Sequence, residues 1–111
     1  MADERVVASI KRYLRTLQSE FGLDARAAVL FGSYARGGAD EWSDIDLVVL
    51  AGRFDREITR QDVELLWWVA AKIDNRIEPI ACGERQWVED DKSAIIELAR
   101  REGQVILPDA A

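Results

Sequence analysis

The chain has 111 residues, with 15 bases against 21 acids and no histidine. That length supports one hydrophobic core. A net charge of −6 argues against nucleic acid as the main partner, since phosphate backbones are drawn by surplus positive charge. Without histidine, His-dependent triads and imidazole metal sites are excluded, so any metal must be held by oxygen, as Mg²⁺ or Mn²⁺ prefers.

Apolar residues make up 49% and charged residues 32%, the balance of a soluble globular protein. We expect one domain over residues 1–111. No apolar run is long enough to span a membrane, and the start, Met1-Ala2-Asp3-Glu4-Arg5, lacks the apolar core of a signal peptide. The single Cys82 cannot form an internal disulfide, so a reducing cytoplasm is expected and the side chain reads as a small buried group.

In chain order, Val6, Ile10, Tyr13 or Leu14, Leu17 and Phe21 recur at helical spacing. They predict an amphipathic helix over 3–21, ended by Gly22. Residues 27–31 are a short apolar run. Residues 44–50 form a strand whose inner half is apolar on both faces, hence central and covered on both sides. Residues 59–73 are a second helix, with Val63, Leu66, Trp67, Ala70 and Ile73 as its inward stripe. Trp68 lies about 100° from Trp67 on such a helix. With Leu65 it is either exposed, marking an interface, or buried in a wide core.

A third strand spans 77–82. Pro79 within it cannot donate to a ladder and belongs on an edge or at a bulge. A helix over 92–102 points Ile95, Ile96, Leu98 and Ala99 inward and stops at Gly103. Residues 105–107 can add a fourth strand. Strands alternating with helices give an α/β (α+β) fold, a small mixed sheet flanked by helices.

The chemistry concentrates in one spacing: Gly32-Ser33, ten residues, then Asp44-Ile45-Asp46. Carboxylates at i and i+2 on an extended segment share a face, and they repel unless a cation lies between them. Alone, such a pair also suits a turn or a Ca²⁺ loop. Gly32 permits a tight turn and close approach of backbone to phosphate. Ser33 can donate to a phosphate oxygen, and a short helix opening at Tyr34 would aim N–H groups at an anion. Arg36 suits a triphosphate contact or a surface salt bridge equally. Gly37 and Gly38 loosen the chain before the strand. Trp42 either tucks onto its own domain, stacks on a base or packs against a partner.

This pattern, with Ser43 before the first Asp and apolar strand residues after the second, resembles the nucleotidyltransferase superfamily with the DNA polymerase β-like core. Within it, the chain is similar to the minimal nucleotidyltransferases, over about residues 21–107. Arg76-Ile77-Glu78-Pro79-Ile80 resembles the strand that carries the family's third acid. The resemblance implies the polymerase β-like fold and transfer of AMP from ATP to an acceptor hydroxyl. Asp44 and Asp46 would bridge two Mg²⁺ or Mn²⁺ ions, and Glu78 would hold the second metal and help remove the acceptor's proton. Gly32, Ser33, Arg36 and Ser43 would bind the nucleotide. Small members are commonly antitoxins whose partner is a helical HEPN-family RNase toxin, silenced by contact or by AMP transfer. Two other readings stand beside this one: a non-catalytic module that neutralises a partner by binding, and a subunit of a small-molecule nucleotidyltransferase. Self-association as a homodimer is also compatible with exposed aromatic residues.

Overall fold

The structure, a computed structural model, describes residues 3–40 and 42–108, with every side chain among them except that of Arg36. Helix α1, Glu4–Phe21, starts where the Asp3 carboxylate accepts from the Arg5 N–H at 2.8 Å and ends at Gly22. Strand β1, Ala25–Phe31, leads into the single helical turn α2, Ser33–Arg36. Strand β2, Ile45–Ala51, is followed by a 3₁₀ turn, Gly52–Asp55.

Helix α3, Arg60–Ile73, opens on a reciprocal cap in which Asp62 N–H donates to Thr59 Oγ1 and Thr59 N–H donates to Asp62 Oδ2. That arrangement satisfies two otherwise orphaned donors. Strand β3, Ile77–Cys82, precedes the short helix α4, Glu84–Glu89, then α5, Ala94–Glu102, and β4, Gln104–Ile106. Among the described residues, no helix is long and apolar enough to cross a membrane.

The strand order is β3-β2-β1-β4, with β2 parallel to β3 and antiparallel to β1, and β4 antiparallel to β1. The central position of β2 and the edge position of Pro79 agree with the sequence reading. Each face of the sheet carries its own core. On one, Ile45, Leu47 and Val49 meet Ile10, Tyr13, Leu14 and Leu17 of α1 and Leu66 and Val69 of α3. On the other, Ala27, Val29, Val48 and Leu50 meet Ile96 and Ala99 of α5. Tyr13 ties the two long helices together by donating its hydroxyl to the Leu66 carbonyl at 2.8 Å. Burial raises that phenol well above its ordinary range, which keeps it a donor. Cys82 is buried, as expected, and burial, then the nearby Asp90 and Asp55, push its thiol up to about 11.

Three expectations need correction. Trp67 is not in the inward stripe of α3: it is 46% exposed and Val63 40% exposed, while Leu66, Val69 and Ala70 are buried with Asp62. The stripe is rotated toward Asp62 because its carboxylate closes the helix cap and pairs with Arg53 at 3.2 Å. Trp68 takes the exposed one of its two alternatives, its ring edge-on to Phe21 and under the Lys72 ammonium at 4.6 Å. Ile95 is likewise exposed, since nine-residue α5 reaches the sheet only through Ile96 and Ala99, with Leu98 at the margin. The predicted third helix begins two residues late, at Ala94, where Ser93 accepts from the Ile96 N–H.

The burial difference along α3 sets an expectation for stability. Leu66→Ala should cost about 2–5 kcal/mol, as truncation in a filled core does. Trp67→Ala, at the surface, should stay within about 1 kcal/mol of the parent. Urea unfolding of the two variants checks this.

Candidate functional site

The parallel pairing of β2 and β3 brings the predicted acids together. Asp46 lies in register with Glu78 on one side and with Phe31 on the other. Alternation along the strands puts Asp44, Asp46 and Glu78 on the same sheet face as Val48, Leu50 and Cys82. Asp44 is exposed one residue before β2, and Asp46 and Glu78 are half-buried. The Glu78 carboxyl is held above its usual range, first by burial, then by the charges of Asp44 and Asp46 and a side-chain hydrogen bond with Asp46. Among the described residues, no three acidic or cysteine side chains are gathered closely enough to hold a metal ion as they stand. In donor chemistry, three carboxylates crowding one another on one face suit a hard divalent cation.

Gly32 stands directly against this group. Its backbone has φ of 76° and ψ of −147°, a conformation that side-chain-bearing residues rarely reach. A Cβ at this position would overlap Asp46 Oδ2 and sit 3.2 Å from Asp46 Cγ. The turn is therefore shaped by the acid beside it. Ser33 follows, half-buried, at the start of α2. Arg36 closes that turn, and its side chain lies outside the described residues.

The loop from Gly37 to Asp44 is organised around Asp40. The Asp40 N–H donates to Ser43 Oγ at 3.0 Å, and the Ser43 hydroxyl lies 3.2 Å from Asp40 Oδ1. The Trp42 N–H donates to the same carboxylate at 2.9 Å. The side chain of Ser43 is thus placed by the loop, next to Asp44. Trp42 does not tuck in: it is 82% exposed, with its indole outside the apolar core.

Four residues were given no role in the site by the sequence reading: Tyr34, Asp40, Asp74 and Arg76. Arg76 binds Asp74 through two guanidinium contacts, Nη2 to Oδ2 at 2.7 Å and Nε to Oδ1 at 3.0 Å. Its Nη1 donates to the Tyr34 hydroxyl at 2.9 Å, and that hydroxyl donates to the Asp40 carbonyl at 2.8 Å. The Arg76 guanidinium lowers the Asp74 carboxyl, chiefly through the side-chain hydrogen bond. An Asp-x-Arg spacing directly ahead of the Glu78 strand was the only local signal, and it named no partner.

Comparison with known proteins shows what the chain as a whole is similar to. The nucleotidyltransferase domain family matches residues 10–104. A protein of Methanocaldococcus jannaschii, provisionally assigned as a protein adenylyltransferase, is 41% identical over 69 residues, which is 57% of this chain and 47% of that protein. The bifunctional uridylyltransferase/uridylyl-removing enzyme of Stutzerimonas stutzeri is 33% identical over 79 residues, 65% of this chain but 9% of the enzyme. The chain thus spans about half the length of the first curated relative and a small part of the second.

Two solved structures share the fold. A provisionally assigned nucleotidyltransferase of Sulfolobus solfataricus superposes with a TM-score of 0.61 at 21% identity, over 91% of this chain and 78% of that one. A toxin–antitoxin structure with AMP-PNP gives 0.62 at 19% identity, over 93% and 73%.

Burial of Glu78, with the crowding of the acids, carries a pH signature. A carboxyl raised in the folded state binds its proton more tightly there than in the unfolded chain, so its ionisation lowers stability as pH rises through the usual carboxylate range. Glu78→Gln should therefore melt above the parent near pH 7, and the gap should close in acid below the ordinary glutamate value of about 4.3. Gly32→Ala should lose about 1–3 kcal/mol from the forced backbone. Thermal melts across pH test both.

Proposed function

We propose that this chain, which belongs to the nucleotidyltransferase domain family, moves AMP from ATP to an acceptor hydroxyl on a partner protein, using Mg²⁺ or Mn²⁺. The observation that carries the reading is the Asp46–Glu78 register, with Asp44 on the same face and the Gly32 turn against Asp46. Asp44, Asp46 and Glu78 would hold the cation. When bound, a divalent cation supplies charge neutralisation for the triphosphate and stabilises the attacking and leaving oxygens.

Gly32 and Ser33 receive the triphosphate, through close backbone approach and a hydroxyl donor. Arg36 and Ser43 are further candidates for contact with the nucleotide. The acceptor oxygen attacks the α-phosphorus, a new P–O bond forms, and the bond to the bridging oxygen breaks to release pyrophosphate. Glu78 takes the acceptor's proton. Its elevated proton affinity suits a general base better than an ordinary exposed carboxylate would.

The partner is inferred from relatives. One is provisionally assigned as a protein adenylyltransferase, and a neighbour of the same fold comes from a toxin–antitoxin structure. Those two relatives support an acceptor on a partner protein, a toxin among the candidates; that it is a helical toxin of the HEPN type rests on the resemblance to the minimal nucleotidyltransferases alone. The chain acts as a single domain, in the cytoplasm, and can pair with itself. A second reading, neutralisation by contact alone, is favoured by one observation: Trp42, Trp67 and Trp68 are all exposed, and aromatic residues anchor protein interfaces.

Incubation with labelled ATP, Mg²⁺ and the lysate of the source cell tests transfer. The parent should label a protein band, and Asp44→Ala and Asp46→Ala should abolish it. Glu78→Gln should keep ATP binding and lose transfer by well over tenfold, a loss beyond about 1.4 kcal/mol of barrier. Label that persists in the Asp variants would contradict the assignment of the site.

A further inference from the structure

Arg76 occupies an unusual place in the fold. Its side chain faces the Gly37–Asp44 loop, while its carbonyl accepts the Ile45 N–H at 2.8 Å. Ile45 is the residue between the two predicted metal-binding aspartates, and Arg76 stands two residues before Glu78. The guanidinium is pinned from behind by Asp74, whose own N–H caps α3 by donating to the Ala70 carbonyl at 2.8 Å. From that fixed base Nη1 reaches the Tyr34 hydroxyl, and the guanidinium carbon lies 6.0 Å from the centre of the Tyr34 ring. Tyr34 follows Ser33 and is buried in the core, and its hydroxyl passes the contact on to the Asp40 carbonyl.

We propose that Arg76 and Tyr34 form a clasp that positions the three separate pieces of the site: the Gly32-Ser33 turn, the loop that delivers Asp44, and the entry of β3 that delivers Glu78. Neither residue touches nucleotide; both act through the groups they hold. The inference rests on the reading of Asp44, Asp46 and Glu78 as a cation and nucleotide site, and it adds the device that aligns them. The physical need is plain. Asp44 and Glu78 share a sheet face but come from different segments, the entry of β2 and β3, and the loop before Asp44 contains two consecutive glycines, so mutual repulsion would drive the loop outward unless something tied it back. A bidentate guanidinium fork fixes direction as well as charge, and lysine, a point charge on a flexible stem, cannot replace it at such a position.

Two conservative variants test the clasp, because each preserves bulk. Tyr34→Phe keeps the buried ring and removes only the hydroxyl. Arg76→Lys keeps the charge and removes the fork. In the protein without ligand, amide hydrogen exchange at Asp40 and Ser43 should speed up by about tenfold in either variant, the order of one lost hydrogen bond, while core amides of β1 and β2 stay protected. Affinity for Mn²⁺·ATP should fall by about tenfold in each variant. The double variant should be no worse than Arg76→Lys alone, since residues acting through one chain of contacts are non-additive.

Unchanged exchange in the loop would overturn the clasp, and so would faster exchange with parental Mn²⁺·ATP affinity. Losses that add in the double variant would also overturn it. A parent that fails to bind Mn²⁺·ATP would overturn the reading of the site and the clasp with it, whereas a parent that binds beside variants that bind equally well overturns the clasp alone.

Discussion

Like charge held close is the constraint on which the structure turns. Parallel pairing of β2 with β3 sets Asp46 opposite Glu78, and the period of two brings Asp44 to the same face. The cost appears in the proton affinity of Glu78, raised first by burial and then by the charges of both aspartates. A sheet chosen only for stability would not put three carboxylates there, because like charges cannot neutralise one another. The neighbouring features make sense as consequences. Gly32 leaves the space that a Cβ would take from Asp46. Pro79 needs no ladder donor on the far side, since β3 is the edge of the sheet.

The framework around the acids is apolar and two-sided. Helices α1 and α3 cover one face and α5 covers part of the other. The acids sit at one end of the second face, beside Phe31 of the same core cluster. Rigid strands therefore present the charges, while one loop with adjacent glycines completes the set. Sites built on strands hold geometry better than sites built on loops, and here the loop is tied to the strands by Tyr34 and Arg76.

Much of this was legible in the residues. The i, i+2 aspartates lie on one strand face, as alternation requires, and Glu78 arrives beside them at the expected strand. What failed was local. Trp67 follows the Val63 spacing perfectly well, yet the helix is rotated by a buried capping aspartate, Asp62, which periodicity counts as polar and therefore outward. Helix α4 has no periodic stripe and no side-chain cap on Gly83. Its Arg85 N–H is satisfied by Asp55 Oδ1 at 2.9 Å, from the 3₁₀ turn after β2. The Tyr34–Arg76 contact joins residues 42 apart in the chain. Pairings of that kind are set by the tertiary fold, and no window of sequence contains them.

The central claim is that Asp44, Asp46 and Glu78 together make a divalent-cation site. The most direct measurement is the melting temperature of the parent and of the Asp44→Asn/Asp46→Asn variant, each with and without Mn²⁺. A ligand that binds only the folded state raises its stability, by about 2.7 kcal/mol at a hundredfold excess over Kd. The account predicts a rise in the parent that saturates with Mn²⁺ and is absent in the variant. A parent indifferent to Mn²⁺, or a variant that gains as much as the parent, would contradict it.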